Sequence, residues 1–440
     1  MKAFVSTLAL FLFFFAIPSP ALAAQADQPT AAATTGSTAQ ATSPAYTLPP
    51  DKLARAVAFA HAKTRLHFID VIYGILILWL LLQFAVTARF RNWAKSLTRR
   101  RMVQALIIFP LFFITLAILN VPLDVSHQHL ELVYGQSVQS WPSFFGDELK
   151  GLGLAIVFGT LVLALFYALV RKSPRWWWFW SWLIALPLLV FVIFLQPLVI
   201  DPMFNKFAPL EQTNPALVTD LEKVVARGGL TIPPERMFLM RASEKVTTLN
   251  AYVTGIGASK RIVVWDNSIA KATPDEIMFI FGHEMGHYVL NHIYKFLAFA
   301  ACLLLVMLWL GYHAMHWLIR RFGHHWHVHE VGDYASVAVL FLAFSVFSFV
   351  AEPIGNTFSR HLEHQADIYG QEAMHGLLPD PQGTAQRAFQ VLGELSLTDP
   401  SPARFTVFWT YSHPDISTRA RFARQYDPWT ADGHPKYFSK

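Results

Sequence analysis

Two histidines and a glutamate in the segment 274–292 have the residue types and the spacing of a metal site. His283 and His287 are four positions apart in the run HEMGH, so on a helix both imidazoles project from one face about one turn apart. That separation suits two ligands of one zinc ion. Glu284 lies about 100° around the helix from His283, where its carboxylate can serve as a general base without ligating the metal.

A catalytic zinc ion needs three protein ligands and one open position. The candidate for the third ligand is Glu363, which shares a helical face with Asp367 four positions later. Taken alone, this spacing is typical of a solvated surface. Beside an HExxH run it predicts a second helix that carries Glu363 to the metal, and Asp367 is then predicted to orient one of the metal ligands.

The helix that carries the HExxH run has a recognisable start. Thr273 and Glu276 form the T-x-x-E pattern of a capping box, and Pro274 occupies the first helical position, which tolerates proline. Upstream, the segment 217–227 is predicted to be an amphipathic helix. Three short strands are predicted at 236–240, 251–254 and 261–265.

Several separated motifs accompany the HExxH run. A pattern P-x-x-N-x-x-S-R-x-x-E-x-x-A-D spans 353–367 and contains both Glu363 and Asp367. Four more segments are FNKFAPL at 204–210, NAYVTG at 250–255, KRIVVWD at 260–266 and YSHPDISTR at 411–419. In this order, the motifs resemble the type 1 CAAX prenyl protease family of integral-membrane zinc endopeptidases, and the resemblance runs from about residue 66 to 425.

The resemblance implies roles for further residues. His413 would line the active site and donate a hydrogen bond to the oxyanion of the tetrahedral intermediate, with Arg419 close by; a lone histidine in such a turn is otherwise structural. The segment Asn250-Ala251-Tyr252 would bind an extended peptide at a strand edge, although these residues fit a plain core strand equally well. The membrane spans would enclose a large chamber that admits threaded or short peptides and excludes folded proteins.

The composition indicates a membrane protein. Of the 440 residues, 54% are hydrophobic and only 15% are charged, and the mean hydropathy is +0.36. The single cysteine, Cys302, excludes an intrachain disulfide and is predicted to be a small buried apolar side chain. The net charge of +6 comes from residues in short loops between apolar runs, so it indicates topology and no nucleic-acid partner.

Six apolar runs are long enough to cross a bilayer. They are predicted at 66–88, 103–123, 152–171, 176–200, 293–319 and 334–354. Six basic and no acidic residues join the first two runs, which places that loop in the cytoplasm. The HExxH segment then faces the opposite side, the periplasm in a bacterial inner membrane. The histidine-rich connection 320–333 is predicted to be a polar basic loop on the cytoplasmic side, with weak adventitious metal binding as the alternative.

The N-terminus is predicted to be a targeting segment followed by a linker. Residues 1–23 have one lysine, an apolar stretch and an A-x-A site, which favours a cleaved signal peptide over an uncleaved first transmembrane helix. Residues 24–60 are predicted to be a disordered low-complexity linker.

These observations predict a mostly α fold: a multi-pass membrane helical bundle with a small α+β zinc-protease domain, whose helices enclose an intramembrane chamber. Transmembrane helices 1–4 are expected over 61–200, with a metal-side loop at 124–150. The HExxH domain is expected over 201–292, helices 5 and 6 over 293–354, and the third-ligand helix with the rest of the catalytic domain over 355–440.

The predicted function is that of a zinc metalloendopeptidase with one Zn²⁺ per chain. Its substrates would be peptides or membrane and exported proteins, since protein prenylation is not expected at a bacterial inner membrane. The alternative is a multi-pass transporter or scaffold with a structural or inactive zinc site. The sequence does not predict the oligomeric state.

Overall fold

The computed structural model describes residues 44–255 and 259–439. The predicted signal peptide or first transmembrane helix over 1–23 lies outside these residues. The predicted linker over 24–60 is wrong at its C-terminal end, because a helix begins at Pro50. Ala56 and Phe59 pack there against Leu397 from a distant part of the chain, so tertiary contacts help to order the residues that precede the first apolar run.

Most of the chain is helical. The helices are α1 (Pro50–Gln83), α2 (Val86–Leu97), α3 (Arg101–Val133), α4 (Trp141–Leu154), α5 (Thr160–Lys172), α6 (Trp177–Leu195), α7 (Asp201–Phe204), α8 (Leu210–Thr213), α9 (Pro215–Arg227), α10 (Asp266–Lys271), α11 (Pro274–Val289), α12 (His292–Trp326), α13 (Val337–Met374), α14 (Pro381–Leu395), α15 (Arg404–Thr410) and α16 (Ile416–Gln425). Single π-helical turns at Ala155–Gly159 and Gln196–Ile200 join α4 to α5 and α6 to α7.

Six helices or helix pairs among the described residues are long and apolar enough to cross a membrane. They are Pro50–Gln83, Arg101–Val133, Trp141–Lys172, Trp177–Phe204, His292–Trp326 and Tyr334–Met374. The predicted first run differs at its end, because Ala85 has a left-handed φ of 49° and separates α1 from the short helix α2.

The spans form one apolar core and leave many large apolar side chains on the outside. Phe109 and Phe112 are fully buried between helices, whereas Ile72 and Ile118 are 67% and 65% exposed. Such exposure suits helices surrounded by lipid. Cys302 is also exposed, on α12, so its predicted burial is wrong: in a membrane span an apolar side chain need not face the protein interior.

The connections between spans collect at two ends of the bundle. At one end, Arg91 of α2 pairs with Asp333, and Arg171 donates to the carbonyl of Gly332 at 3.3 Å. At the other end, Gln136 donates to the carbonyl of Leu395 at 3.1 Å. The segment after the second span therefore lies beside the extramembrane part of the molecule, as the loop order predicts.

A four-stranded sheet and the helices around it form a second core. The strands are β1 (Phe207–Pro209), β2 (Met237–Met240), β3 (Ala251–Thr254) and β4 (Arg261–Trp265), in the order β1-β2-β4-β3. β4 pairs in parallel with β2 and antiparallel with β3. The core beneath the sheet combines side chains from 210–285 with side chains from 369–423, so the two predicted catalytic segments pack as one body.

Candidate active site

The helix α11 begins as the sequence predicts. Thr273 accepts a hydrogen bond from the Glu276 backbone at 3.3 Å, and the Glu276 carboxylate accepts one from the Thr273 backbone at 2.8 Å. The capping box therefore fixes the start of the helix, and the phase of the helix then places His283 and His287 on one face.

Small residues bring α11 and α13 into close contact at the site. Gly282 and Gly286 of α11 face Ala366 and Gly370 of α13, each pair spaced as in small-x-x-x-small helix contacts. A Cβ atom at Gly370 would lie only 2.8 Å from the backbone nitrogen of His283. The close approach of these backbones carries Glu363 to the two histidines.

The three predicted ligand atoms form one cluster. His283 Nε2 lies 3.1 Å from His287 Nε2 and 3.2 Å from Glu363 Oε2, and His287 Nε2 lies 3.4 Å from Glu363 Oε1. Four ligands about 2.0–2.1 Å from a tetrahedral ion stand about 3.3 Å from one another. Among the described residues, this is the group of His, Cys, Asp and Glu side chains close enough to hold a metal ion.

The surroundings of Glu363 also fit a metal ligand. The residue is 4% exposed, and apart from the 3.2 Å approach of His283 Nε2, which turns its lone pair to the cluster, its Oε2 has no hydrogen-bond partner among the described residues. A buried carboxylate oxygen without a partner is costly, and a cation between the two imidazoles would satisfy it.

Asp367 and Arg419 hold His283 through the ring nitrogen that faces away from the ligand cluster. His283 Nδ1 lies 2.8 Å from Asp367 Oδ1, and Arg419 donates two hydrogen bonds to the same carboxylate, at 2.6 and 2.9 Å. This arrangement keeps the proton on Nδ1 and directs the Nε2 lone pair toward the cluster. Burial lowers the pKa of His283, but the hydrogen bonds to Asp367 and Glu363 together with the charge of Asp367 outweigh burial and raise the pKa to about 9.

Glu284 is half-buried at the edge of the ligand cluster. None of the described residues has a hydrogen bond to its carboxylate that would tie it down, and burial raises its pKa above the usual range of a glutamate. A raised pKa brings a carboxylate closer to neutral pH, which suits a group that accepts and returns a proton.

His413 lies beside the same cluster on the loop before α16. Its Nε2 is 3.4 Å from Glu363 Oε1, and its Nδ1 is 2.9 Å from the hydroxyl of Ser412. Burial lowers the pKa of His413, which keeps the imidazole neutral near pH 7. Asp415 caps α16 by accepting from the Thr418 backbone at 2.7 Å, and this cap fixes the loop next to Arg419.

The strand β3 lies at the edge of the sheet next to α11. The Trp265 backbone donates to the carbonyl of Asn250 at 3.0 Å, and hydrogen-bonded pairs alternate along an antiparallel ladder. The backbone groups of Ala251 and Val253 therefore point away from β4, toward an edge with which no other described strand pairs. The Tyr252 ring packs on the face away from α11, with its hydroxyl 3.9 Å from the sulfur of Met240.

Sequence reasoning missed two residues near the site. His292 is 3% exposed, and its Nδ1 lies 3.0 Å from Nδ1 of His287. Its Nε2 lies 3.2 Å from Oε1 of Gln365. The motif HEMGHYVLNH includes His292, but its side chain comes back to His287 only because Asn291 adopts a left-handed conformation, with φ of 59°, between α11 and α12. Val253 was missed because residue type does not indicate to which side of a strand the backbone N–H and C=O groups point.

The fold and the site together define the class of protein. A bundle of membrane-spanning helices that carries an HExxH helix and brings a glutamate from a second helix to the two histidines is a membrane-embedded metallopeptidase.

Comparison with known proteins agrees and gives the family. Residues 211–427 match Peptidase family M48, and residues 37–206 match the family described as CAAX prenyl protease N-terminal, five membrane helices. The uncharacterized metalloprotease YhfN of Bacillus subtilis is 33% identical over 387 residues, covering 87% of this chain and 88% of YhfN. CAAX prenyl protease 1 of Saccharomyces cerevisiae is 26% identical over 339 residues, covering 72% and 71% of the two chains.

A solved structure shows the same fold. The crystal structure of S. mikatae Ste24p aligns with a TM-score of 0.72 at 24% identity and covers 85% of this chain and 89% of that one. The chain therefore belongs to peptidase family M48 and is a multi-pass membrane metalloendopeptidase.

Proposed function

We propose that the protein is a zinc endopeptidase that cleaves extended segments of membrane or exported proteins. The observation that carries the proposal is the cluster of His283, His287 and Glu363, whose ligand atoms are 3.1–3.4 Å apart, with Glu284 beside it. Two imidazoles and one carboxylate form a ligand set typical of catalytic zinc with an open position. When bound, zinc supplies Lewis-acid polarisation of the scissile carbonyl and makes the attacking water more acidic.

The side chains around the cluster have separate roles in this proposal. Glu284 takes a proton from the attacking water and delivers it to the leaving amine. Neutral His413 keeps its Nδ1 toward the Ser412 hydroxyl, so its Nε2–H, 3.4 Å from Glu363 Oε1, is directed to the cluster and can donate to the oxyanion. Asp367, supported by Arg419, orients His283, and His292 orients His287 in the same manner.

The free edge of β3 is the proposed substrate-binding element. An extended peptide would pair with the backbone groups of Ala251 and Val253, next to the HExxH helix. Asn250 and Tyr252 hold this edge in position. The backbone of Asn250 is hydrogen-bonded to Trp265 and Ser268, and the Tyr252 side chain anchors the strand from the face of the sheet away from α11. Recognition through the backbone tolerates many side chains, which suits cleavage of damaged or exported proteins of varied sequence.

The basic loops support the sidedness that we propose. Arg91 and Arg171 lie at the end opposite the ligand cluster, and positive loops favour the cytoplasm. We therefore place the catalytic body, built from 201–292 and 355–440, on the periplasmic side of a bacterial inner membrane. Some relatives are named CAAX prenyl proteases, but we propose that a prenyl group is not required here.

Metal content and cleavage of a quenched generic peptide test the assignment. Wild type is expected to carry about one zinc per chain and to cleave the peptide. Glu363→Ala should lose the metal, whereas Glu284→Gln should keep the metal and lose about 100- to 10,000-fold in kcat. If wild type binds zinc but Glu284→Gln retains full activity, Glu284 is not the base, and a structural metal in a transporter or scaffold becomes the better explanation.

A pair of substrates separates the two classes of target. We expect similar kcat/KM values for an unmodified peptide and for the same peptide with a farnesylated C-terminal cysteine. A preference of more than tenfold for the farnesylated peptide would contradict the proposed substrate class and leave the zinc assignment intact.

A further inference from the structure

The short helix α2 lies between the first two spans at the end of the bundle away from the metal site. Its inner face packs against the protein: the Thr87 hydroxyl donates to the carbonyl of Ala335 at 2.9 Å, and Arg91 pairs with Asp333. The residues of this buried face are Thr87, Ala88, Arg91 and Ala94. The helix is therefore fixed in place and cannot turn its outer half inward.

The outer half of α2 divides into an apolar and a polar strip. Phe90, Trp93 and Leu97 follow one another at i, i+3 and i+7, and Trp93 and Leu97 are 53% and 58% exposed. The neighbouring strip, also at i, i+3 and i+7, consists of the exposed residues Arg89, Asn92 and Ser96. A helix with this division lies in the membrane interface, with its apolar strip at the acyl boundary and its polar strip among the headgroups.

The charged side chains in α2 and next to it in the sequence are all positive. No acidic residue occurs from position 84 to 123, and the exposed cations there are Arg89, Lys95, Arg99, Arg100 and Arg101. None of the side chains of Arg99, Arg100 and Arg101 forms an ion pair with a described residue. Exposed cations from the neighbouring connections add to the same end: Lys172, Arg175, Arg320 and Arg321.

We propose that α2 and the three arginines that follow it form a binding surface for the headgroups of anionic phospholipids in the surrounding membrane. The apolar strip is flanked in the chain by exposed apolar side chains at the ends of the two neighbouring spans, Phe84 at 63% and Met102 at 61%, so the proposed occupant is the bilayer itself and not a soluble partner. Trp93 has the position that is typical of tryptophans at a membrane–water interface. Several basic residues beside a bilayer attract anionic lipids, and the attraction weakens as the salt concentration rises.

The test uses the full-length protein in mixed micelles with either phosphatidylglycerol or phosphatidylcholine. Lipid binding is followed by native mass spectrometry and by the shift in thermal unfolding. Wild type is expected to bind phosphatidylglycerol at least tenfold more tightly than phosphatidylcholine, with the difference shrinking in high salt. The triple variant R99Q/R100Q/R101Q should lose most of that preference, and R89Q/K95Q a smaller part.

The matched control is K206Q/K223Q/K271Q, which removes three exposed cations from the metal-site end. It should keep the preference within about twofold. The proposal is overturned if the control loses as much as the arginine variant, or if wild type binds both lipids equally. It is also overturned if a soluble polyanion such as heparin binds this surface while phosphatidylglycerol does not.

Discussion

Two buried arginine–aspartate pairs fix α13 near its two ends, and they do different work. Arg419 and Asp367 meet at the metal site with side chains 8% and 2% exposed. Arg91 and Asp333 meet at the opposite end with side chains 7% and 12% exposed. Both pairs satisfy charges that would be costly to bury alone.

The third partner makes the difference between the pairs. At the metal site, Asp367 also bonds Nδ1 of His283 at 2.8 Å, so the pair controls the tautomer of a metal ligand. At the opposite end, Arg91 also donates to the carbonyl of His327 at 2.9 Å, so that pair ties α2 to the turn before α13. The same kind of ion pair therefore orients a metal ligand at one end and holds helices together at the other.

Replacing the arginine of each pair with alanine tests this contrast most strongly. Arg419→Ala and Arg91→Ala should each lower the free energy of unfolding by about 3–5 kcal/mol, because each leaves a buried aspartate without its partner. Only Arg419→Ala should also weaken zinc binding. Thermal unfolding and chelator competition measure the two effects, and an equal loss of zinc affinity in both variants would refute the distinction.

The close contact of α11 with α13 gives a second test at the metal-site end. Gly370→Ala should destabilise the protein by about 1–3 kcal/mol and weaken zinc binding, because its Cβ would press on the backbone of His283. Gly153→Ala is the matched control, since nothing lies within 4 Å of a Cβ there. Unchanged zinc affinity in Gly370→Ala would show that the helix spacing does not set the ligand geometry.

His292 extends the comparison to the second metal ligand. His292→Leu should weaken zinc binding at least about tenfold, because Nδ1 of His287 loses the acceptor that fixes its tautomer. His292→Asn retains an acceptor near the position of the lost Nδ1 and should restore most of the affinity. If Asn fails as fully as Leu while both variants unfold at the same temperature, His292 does not act through this hydrogen bond.

A pH dependence of zinc binding tests the metal-site pair without any substitution. The pKa of His283 is raised to about 9 in the metal-free protein, so below that pH the metal must displace a proton. Apparent zinc affinity should rise about tenfold per pH unit toward pH 9 and then level off. A flat profile between pH 7 and 9 would contradict the raised pKa, because His283 would then already be neutral, with its one proton on Nδ1 toward Asp367.

The motifs and apolar runs predicted much of this arrangement. The capping box, the phase of His283 and His287, the three longer strands and the six spans are all local patterns, because each depends on residues close together in sequence. The ends of the spans were less predictable. α1 begins earlier than its apolar run because Ala56 and Phe59 pack against Leu397, a contact between residues far apart in the chain.

The sequence by itself determined which residue types were available for a metal site, and the spacing that puts two of them on one helical face. Only the tertiary structure decided how Glu363 reaches them, since that depends on the glycine contact between α11 and α13. It also decided that Arg419 supports Asp367, that His292 meets His287, and that Ala251 and Val253 face a free edge. Each of these depends on side-chain distance or backbone direction between separate elements, which a one-dimensional pattern does not carry.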